Sequence, residues 1–281
     1  MQVDTQHPSL ATYLPKWKRC RDCSDGQDAV HAAGTVYLPK LKDQQDEDYN
    51  AYRLRAGFYN ATWRTIGGLL GMMFRKPPQT QIPAAVEGYL PDIDMAGTSL
   101  ETMARRVALE VLEVGRVGIM VDHPAVEGVT PITVAAAQQQ GLRPLIMTYR
   151  AESITNWRYR RVNNRWMLAM VTLKETVSKQ VDEFEDKQVE QYRVLDFDES
   201  NNYRVRLFRR KDGDKGEWAV VSEFWPLMGG GMLSFIPFAI LGTDGIDCDL
   251  DEPPLIDLVD LNLSHYRTNA DYEHGCHFTG L

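Results

Sequence analysis

Cys20 and Cys23 are the first residues whose spacing could support chemistry, because two cysteines three positions apart form half of a typical zinc site. A structural zinc ion needs four ligands, and these usually come from two such pairs. The sequence has no second pair with this spacing. Its other candidate ligands lie more than two hundred residues further on: Cys248, His274, Cys276 and His277. We therefore predict two cysteines of a helix rather than a metal site.

An acidic run from Asp247 to Glu252 imitates the start of a calcium-binding loop. Such a loop requires glycine at its sixth position and glutamate at its twelfth. These positions hold Glu252 and Leu258 here, so the run predicts an exposed acidic loop without a bound metal. The alternative is a metal-dependent hydrolase that combines this 247–252 cluster with His265 or His274.

His265, Asp271 and His274 have side chains suited to acid–base chemistry. On one helix, which turns by about 100° per residue, two histidines nine residues apart fall on opposite faces. Only Asp271 and His274 then lie next to each other on the helix.

The three glycines at 229–231 lack the Gly-Lys-Ser/Thr ending of a phosphate loop and predict a turn. The sequence therefore predicts no catalytic residue, no cofactor and no enzymatic activity.

The net charge of −8 is concentrated near the end of the sequence. Between residues 244 and 275 nine acidic residues stand against Arg267 alone, so this stretch carries the whole negative excess. A protein that grips DNA by its phosphates carries a basic surface, and this segment would instead repel DNA. A second alternative function is a nucleic-acid-binding module in the middle of the chain, built from Arg158, Arg160, Arg161, Trp157 and Trp166.

The composition is that of an ordinary globular protein, with 43% hydrophobic and 25% charged residues. The longest apolar stretch, residues 66–74, is about half of the ~20 residues that cross a membrane. The first 25 residues contain charged side chains and no apolar run, so we expect no signal peptide. Four scattered cysteines indicate a reducing compartment. These features predict a protein without membrane contact.

The first third of the chain has helical periodicity. One predicted helix carries Tyr49 and Tyr52 on its apolar stripe, and Asp43 is its predicted cap. A second runs through Ile66 and ends before Pro77, since proline cannot continue a helix.

A capping box that starts at Thr98 begins the best-specified helix. Gly115 and Gly118 are expected to close it before a short buried strand at 119–121. A small helix is predicted at 131–140.

From residue 145 to residue 238 the pattern changes to strands. They are predicted at 157–162, 166–173, 189–197, 203–208 and 218–224. Asn163, Asn201 and Asp212 lie at the turns, and their tolerance of positive φ predicts tight hairpins in an antiparallel meander. Tyr203 and Val205 alternate with arginines, which predicts one buried face and one solvated face.

The last predicted helix runs from Pro253 to about Gly275. Its apolar side carries Leu255, Leu258, Val259, Asn262 and Tyr266. We interpret it as a negatively charged rod whose apolar stripe needs neighbouring copies of the chain for cover. Because nothing follows it, we expect the natural chain to continue beyond residue 281.

The expected architecture is α+β, with N-terminal helices packed on an antiparallel β meander and a long C-terminal helix after them. We divide the chain into a helical region and linker at 1–97, an α+β domain at 98–250, and the start of a long helix at 251–281.

Nine blocks, spread in order over nearly the whole chain, resemble a family of tailed-phage portal-like proteins long catalogued as a domain of unknown function. They are 37–41 (YLPKL), 55–64 (RAGFYNATWR), 71–78 (GMMFRKPP), 115–122 (GRVGIMVD), 151–157 (AESITNW), 236–238 (IPF), 253–257 (PPLID), 260–267 (DLNLSHYR) and 270–274 (ADYEH). Several blocks in one order are more specific than any single motif.

The resemblance implies a non-catalytic portal subunit in a ring, usually a dodecamer, at one vertex of the capsid. Residues up to about 250 would form the wing, residues 253–275 the first stem helix, and the clip, return helix and crown would follow. Candidate channel and assembly residues are Asp257, Asp260, Asn262, Tyr266 and Arg267.

The same resemblance implies roles in genome packaging, head–tail joining and genome ejection. The expected partners are further copies of the chain, the terminase, scaffold or capsid proteins and head-completion proteins. Double-stranded DNA would pass through the channel without specific binding. The expected location is the virion, and the host cytoplasm during assembly.

Overall fold

The computed structural model describes residues 2–123, 142–211, 216–228 and 230–280. The helix predicted at 131–140 and the turn predicted at Asp212 lie outside the described residues, as does the first of the three glycines at 229–231.

Seven α-helices and ten β-strands occur within the described residues. The helices are α1 (Leu10–Asp25), α2 (Gln27–Ala33), α3 (Asp46–Arg55), α4 (Ala61–Met73), α5 (Ala84–Glu87), α6 (Leu100–Val114) and α7 (Ile256–Thr279). The strands are β1 (Arg116–Asp122), β2 (Leu145–Arg150), β3 (Ile154–Val162), β4 (Arg165–Gln180), β5 (Asp186–Phe197), β6 (Tyr203–Arg210), β7 (Trp218–Phe224), β8 (Leu227–Met228), β9 (Gly231–Met232) and β10 (Phe238–Gly242). The α+β class is confirmed.

The chain forms two compact units, each assembled from separated segments. The sheet unit comprises Met1–Ala11, Pro91–Thr98 and Val117–Leu241, and the helical unit comprises Thr12–Leu90, Ser99–Arg116 and Gly242–Leu281. The predicted segments 1–97, 98–250 and 251–281 are consecutive, whereas these units interleave along the chain.

The sheet unit contains the predicted meander, a five-stranded antiparallel sheet in the order β3-β4-β5-β6-β7. Asn163, Asn164 and Asn201 have φ values of 47°, 63° and 62°, which fit tight turns between strands with right-handed twist. A second sheet has the order β10-β1-β2. Gly118 lies inside β1 rather than at the helix end, and a Cβ there would come 2.4 Å from Phe238 Cζ. That position therefore requires glycine.

Both faces of the five-stranded sheet carry buried residues, so the prediction of one solvated face is wrong. Val171, Leu195 and Val205 are register neighbours on one buried face. The opposite face holds a second buried cluster, consisting of Tyr192, Val194, Phe208 and Trp218. The beginning of the chain covers this cluster: Val3 packs against it, and Trp218 Nε1 donates to Asp4 Oδ2 at 3.1 Å.

Two caps in the helical unit differ from the sequence prediction. Gln45 precedes α3, and Asp43 lies outside the helix with a φ of 63°, so the assignment of Asp43 as the cap is wrong. Ser99 rather than Thr98 caps α6, and its Oγ accepts from Thr102 N at 3.2 Å. Gly115 does end α6, as predicted, and it has a left-handed conformation with a φ of 74°.

Candidate functional site

Helix α7 is the candidate assembly element, and it has two parts. From Val259 to Ala270 one side is buried within the helical unit, where α7 packs on α3 and α4. From residue 271 to residue 280 every side chain except that of His274 is exposed. The helix itself is confirmed, although it starts at Ile256 and extends to Thr279.

Asn262 joins α7 to the beginning of α4. Its Oδ1 accepts from Thr62 N and from Thr62 Oγ1, both at 3.1 Å, and its Nδ2 donates to Tyr59 O at 2.8 Å. The first N–H groups of a helix have no partner inside that helix. Asn60 Oδ1 accepts from Trp63 N at 2.8 Å, and Asn262 supplies the acceptor for the preceding amide.

Tyr266 lies one turn further on and is completely buried. Its ring centroid lies 5.9 Å from those of Phe58 and His31. Burial raises the pKa of the Tyr266 hydroxyl to about 12. Asn262 and Tyr266 are therefore core residues and do not face a channel or another copy, which corrects their assignment as assembly residues.

The expectation that neighbouring copies must cover the apolar stripe is wrong for this stretch. Val259, Leu263 and Ala270, like Tyr266, are at most 3% exposed within a single chain. The apolar stripe that the sequence predicts is present, but α3 and α4, which lie about two hundred residues earlier in the chain, supply its cover.

The other three candidate residues lie on the exposed side of α7. Asp257, Asp260 and Arg267 are exposed, and Asp260 Oδ1 pairs with Arg19 Nε at 3.0 Å. Sequence reasoning missed two apolar residues on this side: Leu261 and Tyr272 are each 66% exposed. They are eleven residues apart, which is about three full helical turns, so they share one stripe. The eleven-residue spacing of Leu261 and Tyr272 is the signal in the sequence from which this exposed apolar stripe could have been predicted.

The three residues considered for acid–base chemistry do not form one site. His265 is exposed on its own side of α7. Tyr52 Oη donates to Asp271 Oδ1 at 2.5 Å, and Arg55 Nη2 donates to His274 Nδ1 at 3.2 Å. Asp271 and His274 are thus neighbours, as the helical spacing predicted, and both contact α3.

The acidic loop is organised around Arg116, which sequence reasoning also missed. This arginine is 1% exposed, and its Nη1 donates to Cys248 O at 3.2 Å and to Asp249 O at 3.1 Å. Burial lowers the pKa of Arg116 to about 10, and the surrounding carboxylates oppose that shift.

Two carboxylates of this loop, those of Asp251 and Glu252, already have partners. Asp251 Oδ2 accepts from Thr243 N at 2.7 Å, from Thr243 Oγ1 at 3.0 Å and from Asp244 N at 3.2 Å. Glu252 pairs with Lys16 at 2.5 Å. Within the described ranges no group of three or more His, Cys, Asp or Glu side chains is placed to hold a metal ion.

Cys20 and Cys23 are buried residues of α1 and are 1% and 0% exposed. Burial raises the pKa of each thiol to about 12, so neither forms a thiolate readily. Both lie on one helix, as predicted, and both pack in the core.

The residues of the nucleic-acid alternative divide into two sets. Trp157 is 5% exposed and stacks on His7 with ring centroids 4.1 Å apart, and the Arg160 guanidinium lies 3.9 Å from the centre of the Phe197 ring. Both are therefore structural. Arg158, Arg161 and Trp166 are exposed.

Residues 254–281 match a family described as Domain of unknown function (DUF4055). The match comprises α7 and its immediate flanks. No curated protein matches the chain. Among the described residues no helix combines the length and the apolar character that crossing a lipid bilayer requires.

Proposed function

We propose that this chain is a non-catalytic subunit of a tailed-phage portal ring. In that role it serves genome packaging, head–tail joining and genome ejection at the capsid vertex. Its partners would be further copies of itself, a terminase, scaffold or capsid proteins and head-completion proteins. The nine ordered sequence blocks support this proposal, and the DUF4055 match falls on the segment that the same resemblance assigns to the stem.

The exposed stripe of α7 is the observation that carries the proposal. Leu261 and Tyr272 lie on a helix whose other side is already packed, so they stay in solvent within a single chain. Large exposed apolar surfaces mark interaction sites, and these two side chains contribute apolar area to one exposed face of α7. Neighbouring copies in a ring would cover this stripe, while acidic residues such as Asp257 would let a polyanion slide past.

The hydrolase alternative has less support. Asp251 and Glu252 are engaged with Thr243 and Lys16, and His265 lies apart from His274. Stoichiometric tight metal in the purified protein would favour the hydrolase over the portal subunit.

Mass photometry and negative-stain imaging at micromolar concentration test ring assembly. We expect rings or smaller oligomers of the unaltered chain. The double variant Leu261→Ser/Tyr272→Ser should be monomeric with an unchanged circular dichroism spectrum, because serine removes the apolar contact and leaves the buried side intact. The matched control is Met72→Ser/Met73→Ser, which changes two exposed apolar residues of α4.

The control variant should assemble like the unaltered chain. Monomers of the unaltered chain at every concentration, or equal assembly of both double variants, would contradict the proposed role of α7.

A further inference from the structure

The hairpin of β3 and β4 carries a cluster of positive charge in the sheet unit. Between Trp157 and Trp166 the sequence has four arginines and no acidic residue. The strands meet at a tight turn formed by Asn163 and Asn164. In the antiparallel register Arg161 lies opposite Trp166, so a guanidinium and an indole are cross-strand neighbours.

This basic hairpin, residues 158–166, exposes the side chains that could bind a ligand. Trp166 is 71% exposed and Tyr159 is 37% exposed. Arg158, Arg161 and Arg165 are exposed as well.

The three exposed arginines lack carboxylate partners among the residues that the structure describes, in contrast to other arginines of the same sheet. Arg193 pairs with Glu175 at 2.7 Å, and Arg204 pairs with Asp196 at 3.0 Å. Unneutralised cations beside an exposed tryptophan do not contribute to the fold of the sheet, whose structural contacts at this end come from Trp157 and Arg160.

We propose that the basic hairpin binds single-stranded nucleic acid. Arg158 and Arg161 contact phosphates, and an unpaired base stacks on the indole of Trp166. Base–aromatic stacking next to a basic groove is the usual means of binding single strands without sequence preference. An acidic peptide would use the cations but would not need an exposed flat ring between them. This inference is independent of ring assembly.

Fluorescence anisotropy with a labelled oligo-dT strand, and with a duplex of the same length, tests the proposal. We expect salt-dependent binding that favours the single strand. Arg158→Ala/Arg161→Ala should lower the slope of log K against log salt by about 1.4, since each phosphate contact contributes about 0.7 on single strands. Trp166→Ala should weaken binding about tenfold, and Trp166→Phe should retain most of it.

The matched control is Arg75→Ala/Lys76→Ala, which removes two exposed cations of the helical unit and should bind like the unaltered chain. The proposal fails if oligo-dT does not bind at low salt, or if the two double variants lose affinity equally. It also fails if polyglutamate displaces the strand and Trp166→Ala has no effect, because the surface would then recognise acidic peptides. Repeating the titration with Leu261→Ser/Tyr272→Ser separates strand binding from assembly.

Discussion

At the scale of single residues, burial decides which of the candidate chemical groups are reactive. Cys20, Cys23 and Cys248 are buried, and burial raises the pKa of each thiol to about 12. Cys276 is exposed on the last turns of α7. The spacing of Cys20 and Cys23 alone suggested half a metal site, but both side chains are buried and belong to the core.

Thiol titration with Ellman's reagent near pH 8 should therefore find one rapidly reacting cysteine in the folded protein and four after denaturation. The reactive species is the thiolate, and a pKa far above the working pH keeps it scarce at the three buried positions. Cys276→Ser should remove the rapid phase. Two or more rapid thiols in the folded protein would show that the buried cysteines are accessible.

At the scale of elements, Asn262 links two helices through three hydrogen bonds to groups near the beginning of α4. Asn262→Ala leaves these groups buried without that partner, and each such group costs about 1–3 kcal/mol. We expect the free energy of unfolding to fall by about 3 kcal/mol in urea titrations followed by circular dichroism.

Asn269→Ala is the matched control for this prediction. Asn269 lies on the same helix and makes one exposed hydrogen bond, from Nδ2 to Gly57 O at 3.1 Å. Its loss should cost under about 1 kcal/mol. Equal costs for the two variants would mean that Asn262 does not stabilise the helix pair as described.

Local elements were the part of the fold that the sequence predicted well. Helical periodicity located α3, α4, α6 and α7, and alternation with asparagine turns located the meander, because both patterns depend on neighbouring residues. The cap of α6 was misplaced by one residue. Two adjacent residues, Thr98 and Ser99, both suit a cap, and Thr98 N instead donates to Asp94 Oδ1 at 3.0 Å.

At the scale of the whole molecule, the unpredicted features are contacts between distant segments. The first residues cover one face of the five-stranded sheet, and the last helix completes the core of the helical unit. Hydrophobic patterning shows that a stripe must be covered but not which segment covers it. For that reason the sequence placed Asn262 and Tyr266 on the apolar stripe of α7 but did not indicate that both are buried within a single chain.

Removing residues 251–281 should therefore disrupt the helical unit. Without α7 the surfaces of α3 and α4 that contact Val259, Leu263 and Tyr266 become exposed. We expect hydrogen exchange to show lost protection in α3 and α4, with protection of the five-stranded sheet retained. Unchanged protection of α3 and α4 in the shortened chain would contradict this role for α7.

The interleaved segments of the two units also set an order for folding during synthesis. All segments of the sheet unit have been synthesised once Leu241 has been added, whereas the helical unit still lacks Gly242–Leu281. Thr62 and Asn262 are separated by 200 residues, and closing so long a loop is slow. The sheet unit is thus complete in sequence before the helical unit, whose earlier helices wait for residues 242–281 to be translated.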